Sequence, residues 1–425
     1  MNQFCGAGSK PNRAPPAPGA VAHPALAGAA TRVYAGGMDE SRLWSDEALR
    51  RREFPVCNHQ IFLAHAAVAT VPRRVAQAEI DHATATSERE SDYAAVNKRV
   101  DATRELAARL LPGAQGDEIS LQGPTALGLS LIAGGLDWRP GDEVVYHADC
   151  YPANVYPWME LQRRGVVPVA IRTPRYGEVT IESVAAALTA RTRLVALASA
   201  HFLTGFRIDI DAIGRQLHER GILFSLDAIQ TLGAFPTPVE HVDFLAADAH
   251  KWLLGPLAIG VVMVKRAHFE TLRPILLGAA NVKCPDYIAQ PEIVLRDSAK
   301  RYEPGVLNIG PLFGMGAGLE LLLEVGIDRI SVRILALKQR LMDGLAPLGF
   351  EAVSPVTGPH ASGLLTLRHP SLDPGRIYVA LKQADVVPSL RRDRSGQAYL
   401  RFSPHFYNTE SEIERVIDLV RMHAA

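Results

Sequence analysis

The sequence has little cysteine and no excess of charge of either sign. Its four cysteines, Cys5, Cys57, Cys150 and Cys284, lie far apart in a chain of 425 residues, and no CxxC pair indicates a zinc site or a redox motif. Lysine plus arginine total 45, as do aspartate plus glutamate, so no charge surplus indicates nucleic acid or an anionic membrane surface as a partner. We therefore expect no metal, no nucleic acid partner and a reducing, cytoplasmic location.

Long apolar runs and a dinucleotide-binding glycine motif are also absent. The longest apolar stretches, such as residues 259–264, have the length of a strand and fall well short of the roughly 18 residues that a membrane helix needs. No GxGxxG follows the first predicted strand, which argues against a nicotinamide-linked dehydrogenase. We expect neither a membrane span nor a dinucleotide site.

The N-terminal region lacks any periodic apolar pattern. Residues 1–37 are rich in Ala, Pro and Gly, which predicts a disordered extension. No apolar stretch follows a basic start, so we expect no secretory signal. A charged segment begins at Met38, and we hypothesise that the folded protein starts there and that Met38 is also an alternative start of translation. Residues 38–60 are predicted to pack with a small C-terminal domain.

What the chain does contain is a regular alternation of apolar and helical segments from about residue 98. Short, wholly apolar runs indicate strands buried on both faces of a mainly parallel sheet: EISL, DEVVYHA, VVPVAI, RLVALAS, ILFSLDA, DFLAADA and IGVVMVK. With helices between them, they predict an α/β large domain over residues 61–314, with a seven-stranded sheet. The regular alternation of strands and helices then ends, and residues 315–425 are predicted to form a smaller α+β domain. Thr409 and Glu412 predict a capping box before its last helix.

Polar residues end several of these apolar runs. Asp227, with Gln230 after it, ends one run, His250 and Lys251 follow another, and Tyr151 follows a third. Each residue alone is more often solvated or paired than functional. In open parallel sheets, however, ligands bind beyond the carboxyl ends of strands, where all these residues are expected to meet.

The combination of a lysine and an acid at such strand ends suits pyridoxal 5'-phosphate. A lysine forms a Schiff base with this cofactor, and an acid opposite the pyridine nitrogen keeps the nitrogen protonated so that the ring accepts electrons. Lys251 and Asp227 fit these two roles. A lysine in a dry site also has a depressed pKa, which provides the free amine for imine exchange and for moving an α-proton. We therefore predict that Lys251 is both the cofactor lysine and the catalytic base.

The stretch LDAIQTLGAFPTPVEHVDFLAADAHKWLLGPLAIGVVMVK resembles the class V aminotransferase and cysteine desulfurase family of fold-type I pyridoxal phosphate enzymes. The resemblance extends from about Phe54 to the C-terminus and implies the fold-type I architecture and a homodimer. It also implies that Asp227 contacts the pyridine nitrogen, Gln230 the phenolic oxygen of the ring, His250 the phosphate, and that Lys251 carries the aldimine.

Other segments resemble further parts of the cofactor site. QGPTALGLSL resembles the loop that holds the cofactor phosphate, with Gly123 allowing close approach and Thr125 opening a helix whose N-terminus favours an anion. CYPANVYPW resembles the segment whose aromatic residue stacks on the pyridine ring, which assigns that role to Tyr151, and Asn154 supports the same region. Taken alone, a Gly-Pro-Thr sequence is usually an ordinary turn and helix cap.

Two segments resemble the parts that contact substrate. AYLRFSPHFYN resembles the family's carboxylate-binding strand, which assigns the carboxylate to Arg401, because a planar guanidinium holds a carboxylate bidentately. Arg391 and Arg392 are the reserve candidates. IFLAHAAVATVP resembles the segment over the substrate and places His65 near the pocket, although a lone histidine is more often structural.

Some positions depart from the family pattern. Desulfurases carry a nucleophilic cysteine shortly before the C-terminal arginine, whereas no cysteine follows Cys284; this argues against cysteine desulfurase activity. Val306 replaces a threonine of the Glu-x-Gly-Thr segment, which puts phosphate contact across the dimer in doubt. Asp248 stands where many relatives have a small hydroxyl residue, and Ala64 replaces an asparagine that often contacts substrate.

These observations predict an enzyme that forms an external aldimine with a small amino acid and labilises its α-proton. The expected reactions are transamination or β-elimination that breaks a C–S or C–C bond. An epimerase of the isopenicillin N epimerase type is the alternative, because the fold does not select the outcome. A non-catalytic binding module with the same fold is the alternative from another class.

Overall fold

The computed structural model of the chain describes residues 41–173 and 175–424. The predicted extension over residues 1–37 and the predicted start at Met38 lie outside the described residues. Within residues 39–425 the chain contacts define one compact unit. The proposed boundary between residues 314 and 315 therefore stays a prediction.

A seven-stranded sheet forms the centre of the fold. Its order is β2-β8-β7-β6-β5-β3-β4, and its strands are β2 (Ile119–Leu121), β3 (Glu143–Tyr146), β4 (Val167–Ala170), β5 (Thr192–Ala198), β6 (Leu223–Asp227), β7 (Phe244–Asp248) and β8 (Gly260–Val264). Strand β8 runs antiparallel to β2 and β7, and the other neighbours are parallel. Every residue of β7 and β8 is buried, as expected for apolar strands covered on both faces. The predicted mainly parallel seven-stranded sheet is confirmed.

Helices cover the sheet and connect its strands. The α-helices are α1 (Arg42–Ser45), α2 (Glu47–Glu53), α3 (Arg73–Glu88), α4 (Tyr93–Arg109), α5 (Thr125–Gly135), α6 (Tyr156–Glu160), α7 (Ile181–Ala187), α8 (Ile210–His218), α9 (Ile309–Val325), α10 (Ile327–Leu345), α11 (Pro374–Gln383) and α12 (Glu410–Ala424). Short 3₁₀ helices span Pro55–Asn58, Gly116–Glu118, Pro152–Asn154, Leu161–Arg164, Arg266–His268, Pro285–Tyr287, Ala299–Tyr302 and Ala346–Leu348.

Helix α9 is mainly apolar and packs on α3 and α4 through glycines. A Cβ at Gly316 would meet the side chains of Arg99 and Thr103 at 2.8 Å, and one at Gly314 would meet Glu79 at 2.9 Å. Because real Cβ atoms do not approach so closely, a larger residue at either position would force these side chains to shift, so the glycines allow the helices to lie close together. Among the described residues no single helix is long and apolar enough to cross a membrane, although α9 and the helix after it pass that length and composition test as a pair bent by 81°.

The C-terminal part contains a second, antiparallel sheet. Its order is β12-β13-β10-β9, and a separate parallel pair joins β1 to β11. The strands are β1 (Ile61–Phe62), β9 (Glu351–Ala352), β10 (Leu365–Arg368), β11 (Val386–Val387), β12 (Ser389–Arg392) and β13 (Ala398–Phe402). Leu365, Leu367 and Leu400 pack with Leu341 of α10 and Val416 of α12 in one core, as the sequence pattern predicts.

The capping box before α12 is confirmed. The amide of Glu412 donates to Oγ1 of Thr409 at 3.2 Å, and the amide of Thr409 donates to Oε2 of Glu412 at 3.1 Å. The N-terminal residues pack near the same place, where Arg50 donates to Glu412 at 2.9 Å and Phe54 stacks on Tyr407 at 4.0 Å between ring centres. The carboxyl ends of the parallel strands and the second sheet together frame the site described next.

Candidate active site

Lys251 lies three residues beyond the end of β7. Its side chain is buried, and its Nζ makes no hydrogen bond or ion pair with the described part of the chain. Burial lowers the pKa of Lys251 from 10.5 to about 8; Asp227 opposes this shift, and Arg401 and Arg391 reinforce it. A lysine that loses its proton this readily provides a nucleophilic amine near physiological pH.

Asp227 is the last residue of β6, the strand next to β7. It is buried, and its Oδ1 accepts the amide of Ile229 at 3.1 Å. Burial raises the pKa of Asp227 to about 6, against the opposing effects of that hydrogen bond and of Lys251. The hydrogen bond and Lys251 only partly offset the cost of burying the negative charge of Asp227. The carboxylate is therefore suited to a cationic partner such as a pyridinium nitrogen.

Gln230 is held from both ends of its amide. Its Nε2 donates to the carbonyl of Ala66 at 3.2 Å, and its Oε1 accepts Nε1 of Trp252 at 3.1 Å. The amide nitrogen has two hydrogens, so one N–H stays available for a phenolic oxygen. Trp252, the residue after Lys251, thus fixes the orientation of a predicted cofactor contact.

The predicted phosphate loop packs against the end of β7. An added Cβ at Gly123 would lie 3.0 Å from Oδ1 of Asp248 and 3.0 Å from the amide of Ile259, so the loop has no room for a side chain there. Oγ1 of Thr125, the first residue of α5, accepts the amide of Asp248 at 2.9 Å. Oδ2 of Asp248 lies 2.9 Å from Nδ1 of His250. The unusual carboxylate is therefore paired with the histidine assigned to the phosphate.

Tyr151 faces Lys251 across the site. The centre of its ring lies 5.5 Å from Nζ of Lys251, and the ring is about half exposed at 49%. It contacts the ring of Phe202 edge to face, with 5.7 Å between the centres. A cavity of about 580 Å³ lies on the other side of Phe202, with Cys150 and Tyr176 among its walls, and neither Tyr151 nor Lys251 lines it. A ring in this position can cover one face of a planar ligand.

Arg401 lies on β13 and is completely buried. Its Nη1 donates to the carbonyl of Phe202, whereas its Nε and Nη2 have no hydrogen-bond partner among the described residues. Burial, with a contribution from Arg391, lowers the pKa of Arg401 to about 9. Because unpaired buried donors of this kind cost free energy, the free edge of Arg401 is suited to a carboxylate.

Two other predicted residues make side-chain hydrogen bonds within the protein, although Nδ2 of Asn154 is buried without a partner among the described residues. His65 is fully buried, with Nδ1 2.8 Å from the carbonyl of Ser403 and Nε2 2.8 Å from the hydroxyl of Tyr407. Oδ1 of Asn154 accepts Nε1 of Trp158 at 2.9 Å. His65 therefore joins the N-terminal segment to the residues after β13, and its contact with substrate stays a prediction, as do the other assigned roles.

Sequence reasoning missed Phe202 and Trp252. Phe202 follows β5 and provides the carbonyl that receives Arg401, and Trp252 orients Gln230. The rule that directs attention to strand ends would have found Phe202 after the apolar run of β5. No signal in the sequence indicates that the indole of Trp252 reaches Gln230, since that contact joins two loops.

The site fits pyridoxal phosphate. Lys251 would provide the amine for its aldehyde carbon, Asp227 the acid for its ring nitrogen, and the tight loop at Gly123 a place for its phosphate. The unpaired Nε and Nη2 of Arg401 leave room for the carboxylate of an amino acid. These are the groups that such a cofactor and its substrate require.

Known proteins resemble the chain over most of its length. A probable cysteine desulfurase from Methanothermobacter thermautotrophicus is 26% identical, over 86% of this chain and 94% of that protein. The apo structure of a cysteine desulfurase from Thermococcus onnurineus NA1 aligns with a TM-score of 0.81 at 23% identity, covering 88% of this chain and 97% of that one. The cystine C–S lyase C-DES, in complex with its reaction product cysteine persulfide, aligns with a TM-score of 0.78 at 19% identity, covering 86% and 98%.

These relatives correct one expectation. The lack of a cysteine after Cys284 argued against cysteine desulfurase activity, and that expectation is wrong, because the relatives that match nearly the whole chain are cysteine desulfurases. The physical reason is that breaking a carbon–sulfur bond depends on the lysine, the acid and the carboxylate-binding arginine. The absence of a cysteine after Cys284 therefore says nothing about whether these three groups are present.

The family assignment follows from the sequence as a whole. The family model described as aminotransferase class-V matches residues 61–416, a range that contains every predicted site residue and both sheets. The fold agrees, since the resemblance implied a mainly parallel central sheet flanked by helices. The chain belongs to the aminotransferase class-V family of pyridoxal phosphate-dependent enzymes.

Proposed function

We propose that this enzyme cleaves the carbon–sulfur bond of cysteine or of a cysteine derivative. The observation that carries the proposal is the buried Lys251 amine, with a pKa of about 8, beside an arginine with two unpaired N–H groups. These groups suit proton abstraction from an amino acid held by its carboxylate. The relatives named cysteine desulfurase and the structural neighbour named a cystine C–S lyase support sulfur as the leaving atom.

Arg401 orients the substrate. Its Nη1 is occupied by the carbonyl of Phe202, so Nε and Nη2 form the edge that receives the α-carboxylate in a bidentate pair. Completion of this pair compensates a guanidinium that is otherwise buried without a counter-ion. Substrate binding therefore removes an electrostatic cost that the free protein carries.

Lys251 moves the proton. In its neutral form the Nζ takes the proton from the α-carbon, and the low pKa of the lysine favours that form. When bound, pyridoxal phosphate supplies an acceptor for the electrons left at the α-carbon. Asp227 provides the buried negative charge that stabilises a protonated ring nitrogen. In β-elimination a substrate R–S–CH₂–CH(NH₂)–COOH and water give R–SH, pyruvate and ammonia, so that the atoms balance.

The test is a product analysis with the holoenzyme. L-cysteine and S-substituted cysteines are incubated with the enzyme, and pyruvate, ammonia, thiol and alanine are quantified. We expect the carbon–sulfur bond to break, either with release of a thiol and pyruvate or, when an acceptor thiol is added, with transfer of the sulfur to that thiol as a persulfide and formation of alanine. Lys251→Ala should abolish the products and the visible absorbance that borohydride removes, whereas Arg368→Gln on the exposed end of β10 should retain both.

Other products would contradict the proposal. A keto acid formed without ammonia and with the sulfur retained indicates transamination. Exchange of the α-proton with deuterium, without net product, indicates epimerisation. A protein that stays colourless with added pyridoxal phosphate indicates a binding module rather than an enzyme.

We also propose a homodimer. Apolar side chains are exposed along residues 275–306, among them Tyr287 at 85%, Ile288 at 64% and Val306 at 93%. A concentration of exposed apolar residues in one segment of the chain supports an interface. Light scattering should give twice the chain mass, and Ile288→Glu should lower the measured mass; a monomeric wild-type enzyme would refute the dimer.

Cytoplasmic location stays a prediction.

A further inference from the structure

Arg391 and Arg401 project from the same face of the second sheet. In the antiparallel pair β12–β13, Ser389 lies opposite Arg401 and Arg391 lies opposite Tyr399. Directly opposed residues share a face, and residues two apart on one strand share it too. The two arginines are therefore diagonal neighbours, with Cα atoms roughly 7–8 Å apart.

This face is turned towards the active site. Arg401 reaches the carbonyl of Phe202, and Oγ1 of Thr366, opposite Arg401 on β10, donates to the carbonyl of Leu203. Phe202 also contacts the ring of Tyr151, which faces Lys251. Arg391 accordingly lies next to Arg401 on the face of the second sheet that meets the residues around Lys251.

Arg391 has no partner of its own. It makes no hydrogen bond or ion pair with the described residues, and its Nε is buried without an acceptor. The neighbouring Arg392, in contrast, donates to the carbonyl of Gly396. A guanidinium that is partly buried without an anion costs free energy, so the structure maintains this cation at the site for a ligand group.

The charges at the site leave one cation without an anion. Near Lys251 lie the cations Arg391 and Arg401 and the acids Asp227 and Asp248. Asp227 is suited to the cofactor, and Asp248 is paired with His250. The substrate α-carboxylate occupies the free edge of Arg401, because Nε and Nη2 form a complete bidentate donor. Because the α-carboxylate is already bound to Arg401, the substrate has no anionic group at its α-carbon left to pair with Arg391.

We propose that the substrate carries a second carboxylate at the end of its side chain and that Arg391 binds it. The inference rests on the proposed function and defines its substrate class as a dicarboxylic amino acid with sulfur between the β-carbon and the distal carboxylate. Arg401 positions the reacting end and Arg391 selects the leaving group. The separation of the two arginines suits a short chain between the two carboxylates.

A matched pair of substrates tests this directly. S-carboxymethyl-L-cysteine and S-carbamoylmethyl-L-cysteine have the same heavy-atom skeleton and differ in the distal charge. For each, kcat/KM is measured from pyruvate release by the holoenzyme, and affinity from the change in its visible spectrum. We expect the wild-type enzyme to prefer the carboxylate about tenfold or more, equivalent to ~1.4 kcal/mol.

Variants assign that preference to Arg391. Arg391→Gln should reduce the ratio between the two substrates to about one, and Arg391→Lys should retain part of it, because an ammonium keeps the charge without the planar fork. Arg368→Gln, on the same sheet but paired with Glu351 at the surface, should leave the ratio unchanged. Because both substrates are measured with the same enzyme preparation, the ratio of their kcat/KM values does not change when part of a variant is unfolded.

The outcomes separate this inference from the proposed function. If the wild-type enzyme uses both compounds equally, the second-carboxylate site is refuted while carbon–sulfur cleavage stands. If neither compound releases pyruvate, C–S cleavage of these derivatives fails, and the spectral titration alone decides: preferential binding of the carboxylate that depends on Arg391 supports the inference, and equal binding overturns it.

Discussion

The carboxylate of Asp248 lies 2.9 Å from Nδ1 of His250. A carboxylate only accepts hydrogen bonds, so Nδ1 carries the proton and the pair fixes the ring of His250. The other oxygen of Asp248 accepts the amide of Ala249 at 3.0 Å. Asp248 thereby positions the histidine assigned to the cofactor phosphate.

Asp248→Asn should weaken retention of the cofactor. The amide keeps the shape but lacks the charge that holds the proton on Nδ1, and a hydrogen bond to a charged group contributes ~1.5–3 kcal/mol. We expect the dissociation constant for pyridoxal phosphate to rise about tenfold, as measured by equilibrium dialysis. His250→Gln and the double variant complete a thermodynamic cycle. Additive losses in the double variant would show that the two residues act independently.

The pKa of Lys251 should control how fast the cofactor-free protein captures pyridoxal phosphate. The amine reacts in its neutral form, which increases as the pH rises through about 8 rather than 10.5. The capture rate, followed by stopped-flow absorbance, should therefore rise with pH and level off above that midpoint. Asp227→Asn should move the midpoint to lower pH, because Asp227 is the group that raises this pKa. A midpoint near 10 would contradict the burial argument.

The fold could be predicted from local patterns, whereas the site could be predicted only in part. The strands from β2 to β8 are short, mainly apolar runs of the right length, so each is visible in the sequence. Lys251 and Asp227 were found because they follow such runs. Phe202 and Trp252 act through a carbonyl and an indole that meet residues distant in sequence, and no local pattern reports such contacts.

Lys338 illustrates the same limit outside the site. It lies in the amphipathic helix α10, where a lysine is usually expected at the surface, yet it is fully buried. Its Nζ donates to the carbonyls of Pro355 at 2.6 Å and Ser362 at 2.9 Å. The residues that supply these acceptors reach Lys338 only through the tertiary fold, so its burial could not be predicted from helical periodicity.

Asp227 should reduce the stability of the cofactor-free protein. Its folded pKa of about 6 exceeds the ordinary 3.8, so between these values the folded state holds a proton that the unfolded state has lost. Stability therefore falls as pH rises through this window, by about 3 kcal/mol for two pKa units at ~1.4 kcal/mol each. Asp227→Asn lacks this effect and should unfold at higher urea than wild type at pH 7.5, with a smaller difference at pH 5. If Asp227→Asn and the wild type were equally stable at both pH values, the predicted destabilisation by Asp227 would be contradicted.

Arg104 and Glu303 form a buried ion pair that anchors the segment before α9. Two bonds of 2.6 Å join the guanidinium to the carboxylate, and the amide of Leu121 donates to the same carboxylate at 2.7 Å. Arg104→Met leaves the charge of Glu303 buried with too few partners, which should cost about 3–5 kcal/mol. Urea unfolding measures the loss.

Two further variants separate this mechanism from simple loss of contacts. In Arg104→Met/Glu303→Leu both charges are absent, so the double variant should be more stable than Arg104→Met alone, since an apolar pair of similar volume often replaces a buried ion pair at little cost. The exposed pair Arg163–Glu160, at 81% and 67% side-chain exposure, is the control, and Arg163→Met should change stability by less than about 1 kcal/mol. If the double variant were the least stable, packing rather than an uncompensated carboxylate would account for the loss in Arg104→Met.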